Sequence, residues 1–409
     1  MKTIGILGAG YVGLATAASF AARGFSVTCA DLNEKKIEIL QQGGLPFFEQ
    51  GMLEVFCSAS TPVIFTTDLS LACTCDIVFC CVGTPSAADG SADLSFVKSA
   101  ALTCAEVAPN NVFVLKSTVP PGTSRLITEF VNGRLRVVAN PEFLREGNAV
   151  YDGLHPSRIV LGADSGEDSA TVKEIYKDVD APIVVTDTVT AEMIKYASNS
   201  FLATKISFIN EIAGLCDVVG ADARIVAKGM GLDDRIGSKF LEPGPGYGGS
   251  CFPKDVRALM HLGDSVGTPL KILQATTLVN TERQSLSYRM LEQELGSLAG
   301  KRIAVWGLAF KPGTDDVRDA PALELLRQCL AADANIIAFD PLVRSLSSDF
   351  SRVEIARGML DAVSDADALV IMTNWPEFSS MNREQILSSM KGSLIVDLRC
   401  VLRKEGMIQ

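Results

Sequence analysis

The pattern of apolar and polar positions divides the chain into three stretches. Lys2 to Leu7 is a short apolar run, followed by glycines at 8, 10 and 13 and an uncharged stretch that reaches Ala22. A strand, a glycine turn and a helix ended by Gly24 account for this order, and Phe25–Ala30 then reads as a second strand closed by Asp31. Together they make a βαβ unit. Further apolar runs occur at Ile77–Val82, Val112–Lys116, Val137–Ala139 and Ile159–Gly162, with helical periodicity between several of them. Such runs alternating with helices predict a mostly parallel sheet covered on both faces.

The pattern changes near Thr190. Ala191 to about Val219 reads as one long helix with no glycine or proline before Gly214, and its expected apolar stripe includes Ile194, Phe201, Ile206, Ile209 and Ile212. A polar loop, Glu242–Ser250, carries four glycines and two prolines, and helix is expected again from Lys254 towards Leu295. A second β/α series follows, with strands at Arg302–Trp306, Asn335–Phe339, Ala368–Met372 and Ser393–Val396. The expected fold class is α/β: two Rossmann-like parallel-sheet domains joined by a helical middle domain with a long connecting helix. The predicted divisions are residues 1–189, 190–299 and 300–409, in keeping with two or three domains for 409 residues. This layout predicts a cleft between the sheet domains, the usual place for a ligand.

Composition narrows the function. A net charge of −11 argues against nucleic acid, whose phosphates need clustered cations, but allows a local anion site. Eleven cysteines include no CxxC pair, which argues against zinc. An odd number in a chain of this size suits a reducing compartment, hence the cytoplasm, with most thiols buried as small apolar groups. The uncharged stretch Thr3–Ala22 could pass for a signal peptide or membrane span, but that reading leaves the glycine positions unexplained. No membrane partner is expected.

Gly8-Ala-Gly10-Tyr11-Val12-Gly13 lies between a strand and a helix. The first glycine permits the tight turn, the second lets backbone approach a pyrophosphate, and the third allows close helix–strand packing. Asp31 closes the next strand; its carboxylate suits a ribose diol and repels a 2′-phosphate, favouring NAD over NADP. The alternative is a nucleotide fold that binds FAD or nothing. The second series has only a degenerate glycine turn at Gly307, although Asp340 ends its second strand. It reads as a Rossmann-like domain adapted to another nucleotide.

The stretch 248–255, GGSCFPKD, places Cys251 in a glycine loop just before a helix, with Lys254 adding positive charge and Asp255 one helical turn away. That setting suits an activated nucleophile with an acid/base neighbour; a buried cysteine at a helix cap is the alternative. Glu142 and Glu146 fall one helical turn apart and suit acid/base work or ordering of a water, or else simply complement a helix dipole. Lys195 and Asn199, also one turn apart, either face a cleft or belong to a solvated face. The two histidines, His155 and His261, sit in no motif, so a histidine base is not supported.

Taken together, GAGYVG at 8–13, VGTP at 82–85, STVPPGTS at 117–124, NPEFLREG at 140–147, the Lys195/Asn199 helix, GGSCFPKD at 248–255 and FKPGTDDVR at 310–318 resemble the UDP-glucose/GDP-mannose dehydrogenase family over essentially the whole chain. The resemblance implies a four-electron oxidation of a nucleotide sugar's C6 alcohol to the acid, using two NAD and no metal. It implies Cys251 as the covalent nucleophile, Lys195 and Asp255 managing the first proton, Asn199 donating to the oxyanion, and Thr118, Glu142 or Glu146 ordering the hydrolytic water. NAD contacts would come from Gly8, Gly10, Tyr11, Val12, Gly13, Asp31, Lys36, Thr84, Thr118, Glu146, Lys254 and Arg318. The nucleotide sugar would meet Glu142, Phe143, Leu144, Arg145, Lys195, Asn199, Phe240, Tyr247, Gly248, Lys311 and Arg399. Arg235 matches an arginine that reaches a neighbouring subunit's site, which implies a homodimer or higher oligomer. The segment 151–159 resembles the UDP-glucose branch more than the GDP-mannose branch, and Gln50 departs from the family's usual proline in a turn remote from the chemistry.

Overall fold

The computed structural model describes residues 2–402. The first sheet contains β1 (Thr3–Leu7), β2 (Ser26–Ala30), β3 (Ile64–Thr66), β4 (Ile77–Cys80), β5 (Val112–Leu115), β6 (Arg136–Ala139), β7 (Ile159–Gly162) and β8 (Ile183–Thr186). Their order is β3-β2-β1-β4-β5-β6-β7-β8, and every pairing is parallel except the β6–β7 contact, Ala139 opposite Gly162. The second sheet contains β9 (Arg302–Trp306), β10 (Asn335–Phe339), β11 (Glu354–Ile355), β12 (Ala368–Ile371) and β13 (Leu394–Asp397), all parallel, in the order β11-β10-β9-β12-β13. The α/β expectation holds, with two parallel-strand sheets and a long helix, Thr188–Val219, between them in sequence.

Successive strand residues in the first sheet serve two different cores. Ile77, Phe79, Val112 and Val114 join one buried cluster, whereas Val78, Cys80, Phe113 and Leu115 join another. Period-2 alternation sends neighbours to opposite faces, and because helices cover both faces every position is apolar. Burying each large side chain contributes roughly 1.5–3 kcal/mol. The second sheet builds its own core around Trp306, fully buried with its ring 5.2 Å from that of Phe378. Most cysteines are buried among such apolar groups, including Cys29, Cys80, Cys104 and Cys329.

Three strands escape the sequence pattern: β3, β8 and β11. Each is two to four residues long and lies at the edge of its sheet. At the edges they are short and partly exposed, so the brief apolar runs of β3 and β8 and the two residues of β11 give little signal. The helical stretch expected from Lys254 to Leu295 is three helices, Phe252–Ser265, Lys271–Gln284 and Leu286–Leu295. The long helix begins at Thr188 and its 32 residues span about 48 Å at 1.5 Å per residue. Phe201 does not lie on its buried stripe: it is 66% exposed.

The protein packs as two compact units. One holds the chain up to Ser198 together with Arg257–Gly267; the other holds Asn199–Val256 and the chain from Thr268. Among the described residues, no helix is long and apolar enough to cross a membrane.

Candidate active site

In the first unit, the turn after β1 has the geometry of a phosphate cradle. Gly8 has φ of +101°, a conformation other residues rarely adopt. A side chain at Gly13 would strike the carbonyl oxygen of Gly8, whereas around Gly10 nothing lies within 4 Å of where a Cβ would stand. Gly10 caps the helix Tyr11–Ala22 without a side-chain hydrogen bond, and the first turn carries no acid, so the positive helix end suits an anion. The Tyr11 ring packs 3.8 Å from that of Phe47.

Asp31 continues from β2. Its Oδ2 accepts from the Ala9 amide at 2.7 Å and from Lys36 Nζ at 2.9 Å, and Oδ1 accepts from the Asn33 amide. Burial pushes its pKa up, but Lys36 and the two amides outweigh that and hold the carboxyl below its ordinary range. An ionised acid at this strand end fits a dinucleotide whose ribose bears free hydroxyls. Thr84, buried, donates to the Thr118 carbonyl at 2.8 Å and so ties the VGTP turn to the STVPPGTS loop.

The same unit contains a buried ion pair. Lys195 Nζ lies 2.7 Å from Glu142 Oε1, and both side chains are about 95% buried, at 4% and 5% exposure. Glu142 Oε2 accepts from the Leu144 amide at 2.6 Å. Desolvation works against the Glu142 carboxylate, but the Lys195 charge and hydrogen bond lower its pKa below the usual range. Lys195 therefore sits on a buried face rather than a solvated one. The expectation of Glu142 and Glu146 one helical turn apart is not met. Residues 141–148 are loop and turn, and the helix starts at Ala149. Glu49 accepts from the Gly147 and Ala149 amides, which satisfies donors at a helix start that begins only there. Phe143 stacks beneath the Arg158 guanidinium at 3.6 Å, with Lys195 Nζ 5.6 Å from the same ring. Leu144 is half-buried, and Arg145 is exposed and forked onto Asp152.

In the second unit, Cys251 immediately precedes the helix Phe252–Ser265 and is half-buried. The Asp255 amide donates to the Cys251 carbonyl at 2.9 Å, which makes the predicted helical turn real. Ser250 Oγ lies 3.5 Å from the Cys251 sulfur. Asp255 is wholly buried; its Oδ1 receives Lys254 Nζ and its Oδ2 receives Asn199 Nδ2, both at 2.6 Å. Lys254 and Asn199, assigned separate roles from the sequence, thus share one carboxylate.

The glycine loop ahead of Cys251 is held from below. Asn280 accepts from the Tyr247 amide and donates to its carbonyl, and Arg283 Nε donates to the Gly244 carbonyl at 2.7 Å. Asn210 receives the Gly244 amide. Sequence reasoning missed all three, although Asn280 and Arg283 are three apart on one helix, a spacing that places them on one face. A side chain at Gly248 would strike the Asp319 carbonyl, and Gly249, with φ of +85°, donates its amide to the Arg318 carbonyl. The buried Tyr247 meets the Phe252 ring edge-on at 6.1 Å, and Phe240, itself at positive φ, lies 6.1 Å from Phe252. Lys311 rests over Phe310, and Arg318 forks onto Asp316. Arg399 donates to the Met372 carbonyl; desolvation pushes its pKa down to about 10, which leaves it cationic near neutrality. Arg235 is 89% exposed and pairs with Asp233.

The second sheet's nucleotide turn differs from the first. Asp340 is fully buried and is consumed by the Leu308, Ala309, Leu342 and Val343 amides and the Trp375 indole. It serves the fold where Asp31 can serve a ligand.

Three family models tile the chain. The NAD-binding domain of the UDP-glucose/GDP-mannose dehydrogenase family matches residues 2–180, its central domain residues 189–282 and its UDP-binding domain residues 304–404. The chain belongs to that family. It is an NAD-dependent oxidoreductase by that membership, and the GAGYVG turn with Asp31 is the part of the fold that fits the cofactor. A UDP-glucose 6-dehydrogenase of Rhizobium meliloti is 44% identical, covering 98% of this chain and 96% of its own. The UDP-glucose 6-dehydrogenase TuaD of Bacillus subtilis is 42% identical over 100% of this chain and 91% of its own. Among solved structures, the UDP-glucose dehydrogenase of Pyrobaculum islandicum superposes with a TM-score of 0.93 at 37% identity, covering 98% of this chain and 95% of that one.

Proposed function

We propose that this dehydrogenase converts UDP-glucose to UDP-glucuronate in two successive oxidations, with Cys251 holding the substrate between them. The observation that carries the reading is the Lys254–Asp255–Asn199 cluster, built around a wholly buried carboxylate in the first turn of the helix that Cys251 precedes. The choice of sugar rests on the relatives, which are UDP-glucose enzymes at more than 40% identity over nearly the full chain.

The roles follow from the chemistry of each group. Lys195 and Asp255 polarise the C6 hydroxyl and pass its proton to water. Held by the GAGYVG turn and Asp31, NAD would supply the hydride acceptor, one molecule for each oxidation. The Cys251 thiolate adds to the aldehyde carbon, forming a C–S bond, and the oxyanion takes a hydrogen bond from Asn199 before it is protonated. Loss of the second hydride from C6, with the hydroxyl proton passing to water, leaves a thioester. Water, ordered by Thr118, Glu142 or Glu146, attacks its carbonyl, breaks the C–S bond, and releases the acid and the thiol. The adduct prevents escape of a free aldehyde.

Gly8, Gly10, Tyr11, Val12, Gly13, Asp31, Thr84, Thr118, Glu146, Lys254 and Arg318 are assigned to the cofactor, with Lys36 holding Asp31. Phe143, Leu144, Arg145, Phe240, Tyr247, Gly248, Lys311 and Arg399 are assigned to the nucleotide sugar. The working form is a homodimer, with Arg235 reaching the neighbouring copy. Its support is an exposed apolar row at heptad spacing on the long helix, Phe201, Phe208 and Leu215, at 66%, 45% and 58% exposure. The free thiols suit a reducing cytoplasm. Counting NADH released per UDP-glucose tests the scheme: the expected ratio is two, and a ratio of one, or turnover of GDP-mannose in its place, overturns it.

A further inference from the structure

Glu192 has no role in the scheme above, yet it is an acid only 3% exposed, three residues before Lys195 on the long helix. Its Oε2 accepts from the Gly122 amide at 2.6 Å, and its Oε1 accepts from the Ser124 amide at 2.7 Å and the Ser124 hydroxyl at 2.6 Å. These donors surround the start of the helix Thr123–Phe130, whose cap residue, Gly122, contributes no side-chain bond of its own. The orphan donors of a helix start are thus satisfied from a different element. A buried carboxylate is a costly way to do this. Desolvation raises its pKa, and the bonds from Ser124 and Gly122 act in the opposite direction. What a carboxylate offers over serine or asparagine is two oxygens that accept only, enough to take three converging donors.

The bonded segment has a specific neighbour. Thr118 lies on the loop that Glu192 holds, Lys195 lies on the helix that carries Glu192, and Thr118, Glu192 and Lys195 line one small pocket together with Ser117 and Pro141. We propose that Glu192 is a positioning residue that locks the 117–124 loop to the long helix and thereby sets Thr118 against Lys195 across the pocket they share. The proposal rests on the roles given above to Thr118 and Lys195.

The test compares the full-length wild type with Glu192→Gln, Glu192→Ala and Ser124→Ala by amide hydrogen exchange over 117–126 and by steady-state kinetics per NAD-binding site. Exchange at Gly122 and Ser124 is expected to rise in the Glu192 variants. The kcat per site is expected to fall on the order of 100-fold in Glu192→Ala, as a misplacement of about 1 Å costs, with KM for UDP-glucose nearly unchanged. Glu192→Gln, which keeps one accepting oxygen, is expected to fall between the wild type and Glu192→Ala. Unchanged exchange overturns the lock. Raised exchange with an unchanged kcat per site, or activity lost only in proportion to NAD sites, overturns the positioning role. If the wild type ignores UDP-glucose, the proposed substrate falls, while exchange still decides the lock and kcat is read on the nucleotide sugar that is turned over.

Discussion

Asn199 Nδ2 donates to Asp255 Oδ2 at 2.6 Å, and the carboxylate that receives this bond is wholly buried. Removing the donor leaves a buried acceptor without its partner, which costs about 1–3 kcal/mol. Asn199→Ala is therefore expected to lower the thermal midpoint and also to lower kcat. Asp255→Asn keeps the shape but removes the charge that Lys254 pairs with, so it should lose more activity than stability. Parallel melting curves and initial rates check this. Equal activity in Asp255→Asn and wild type would remove Asp255 from proton handling.

For Cys251→Ser, the expected outcome is an adduct that forms and then persists. A hydroxyl can replace the thiol in the addition, but the resulting ester has a poorer leaving group than a thioester. Hydrolysis becomes rate-limiting, and mass spectrometry of the intact protein should show the sugar attached after mixing with UDP-glucose and NAD. Wild-type turnover in this variant would exclude a covalent role for Cys251.

The Glu142–Lys195 pair makes stability depend on pH in a defined direction. The folded carboxyl of Glu142 lies below its ordinary range, because Lys195 and the Leu144 amide outweigh desolvation. Its contribution is therefore fully present above the unfolded carboxylate pKa and is lost as pH falls through the folded one. Glu142→Gln leaves Lys195 buried without its counter-charge, a loss of about 3–5 kcal/mol at neutral pH. The gap between variant and wild type should narrow in urea titrations carried out at progressively lower pH through the carboxylate range. A pH-independent gap would mean that the pair contributes through packing alone.

The exposed row Phe201, Phe208 and Leu215 predicts self-association. Phe208→Glu places a charge in the middle of it and is expected to shift the proposed dimer to monomer in sedimentation velocity. A wild type that sediments as a monomer would leave the row without that purpose.

Much of the fold was legible because its signals are local. The spacing of Gly8, Gly10 and Gly13 between an apolar strand and an uncharged helix specifies a βαβ turn within a few residues of itself. Buried parallel strands announce themselves as apolar runs, and β4 and β5 were read to within two residues at their ends. Cys251 before a helix, with Asp255 one turn on, was equally readable, since the chemistry and the helical period lie in one octapeptide.

Tertiary structure decided which polar groups meet. Nothing in the pattern around Asp255 indicated that Asn199, 56 residues earlier, would donate to its carboxylate. Glu142 and Glu146 have helical spacing, but tertiary bonds from Glu49 start the helix only after both. Phe201 fits an apolar helical stripe, yet the surroundings leave it exposed. Glu192 resembles any surface acid in a helix until the Gly122–Ser124 turn closes over it. The physical reason is common to these cases. Backbone conformation follows largely from neighbours in sequence, whereas burying and pairing a charge depends on partners dozens of residues away, which only the folded chain brings within hydrogen-bond reach.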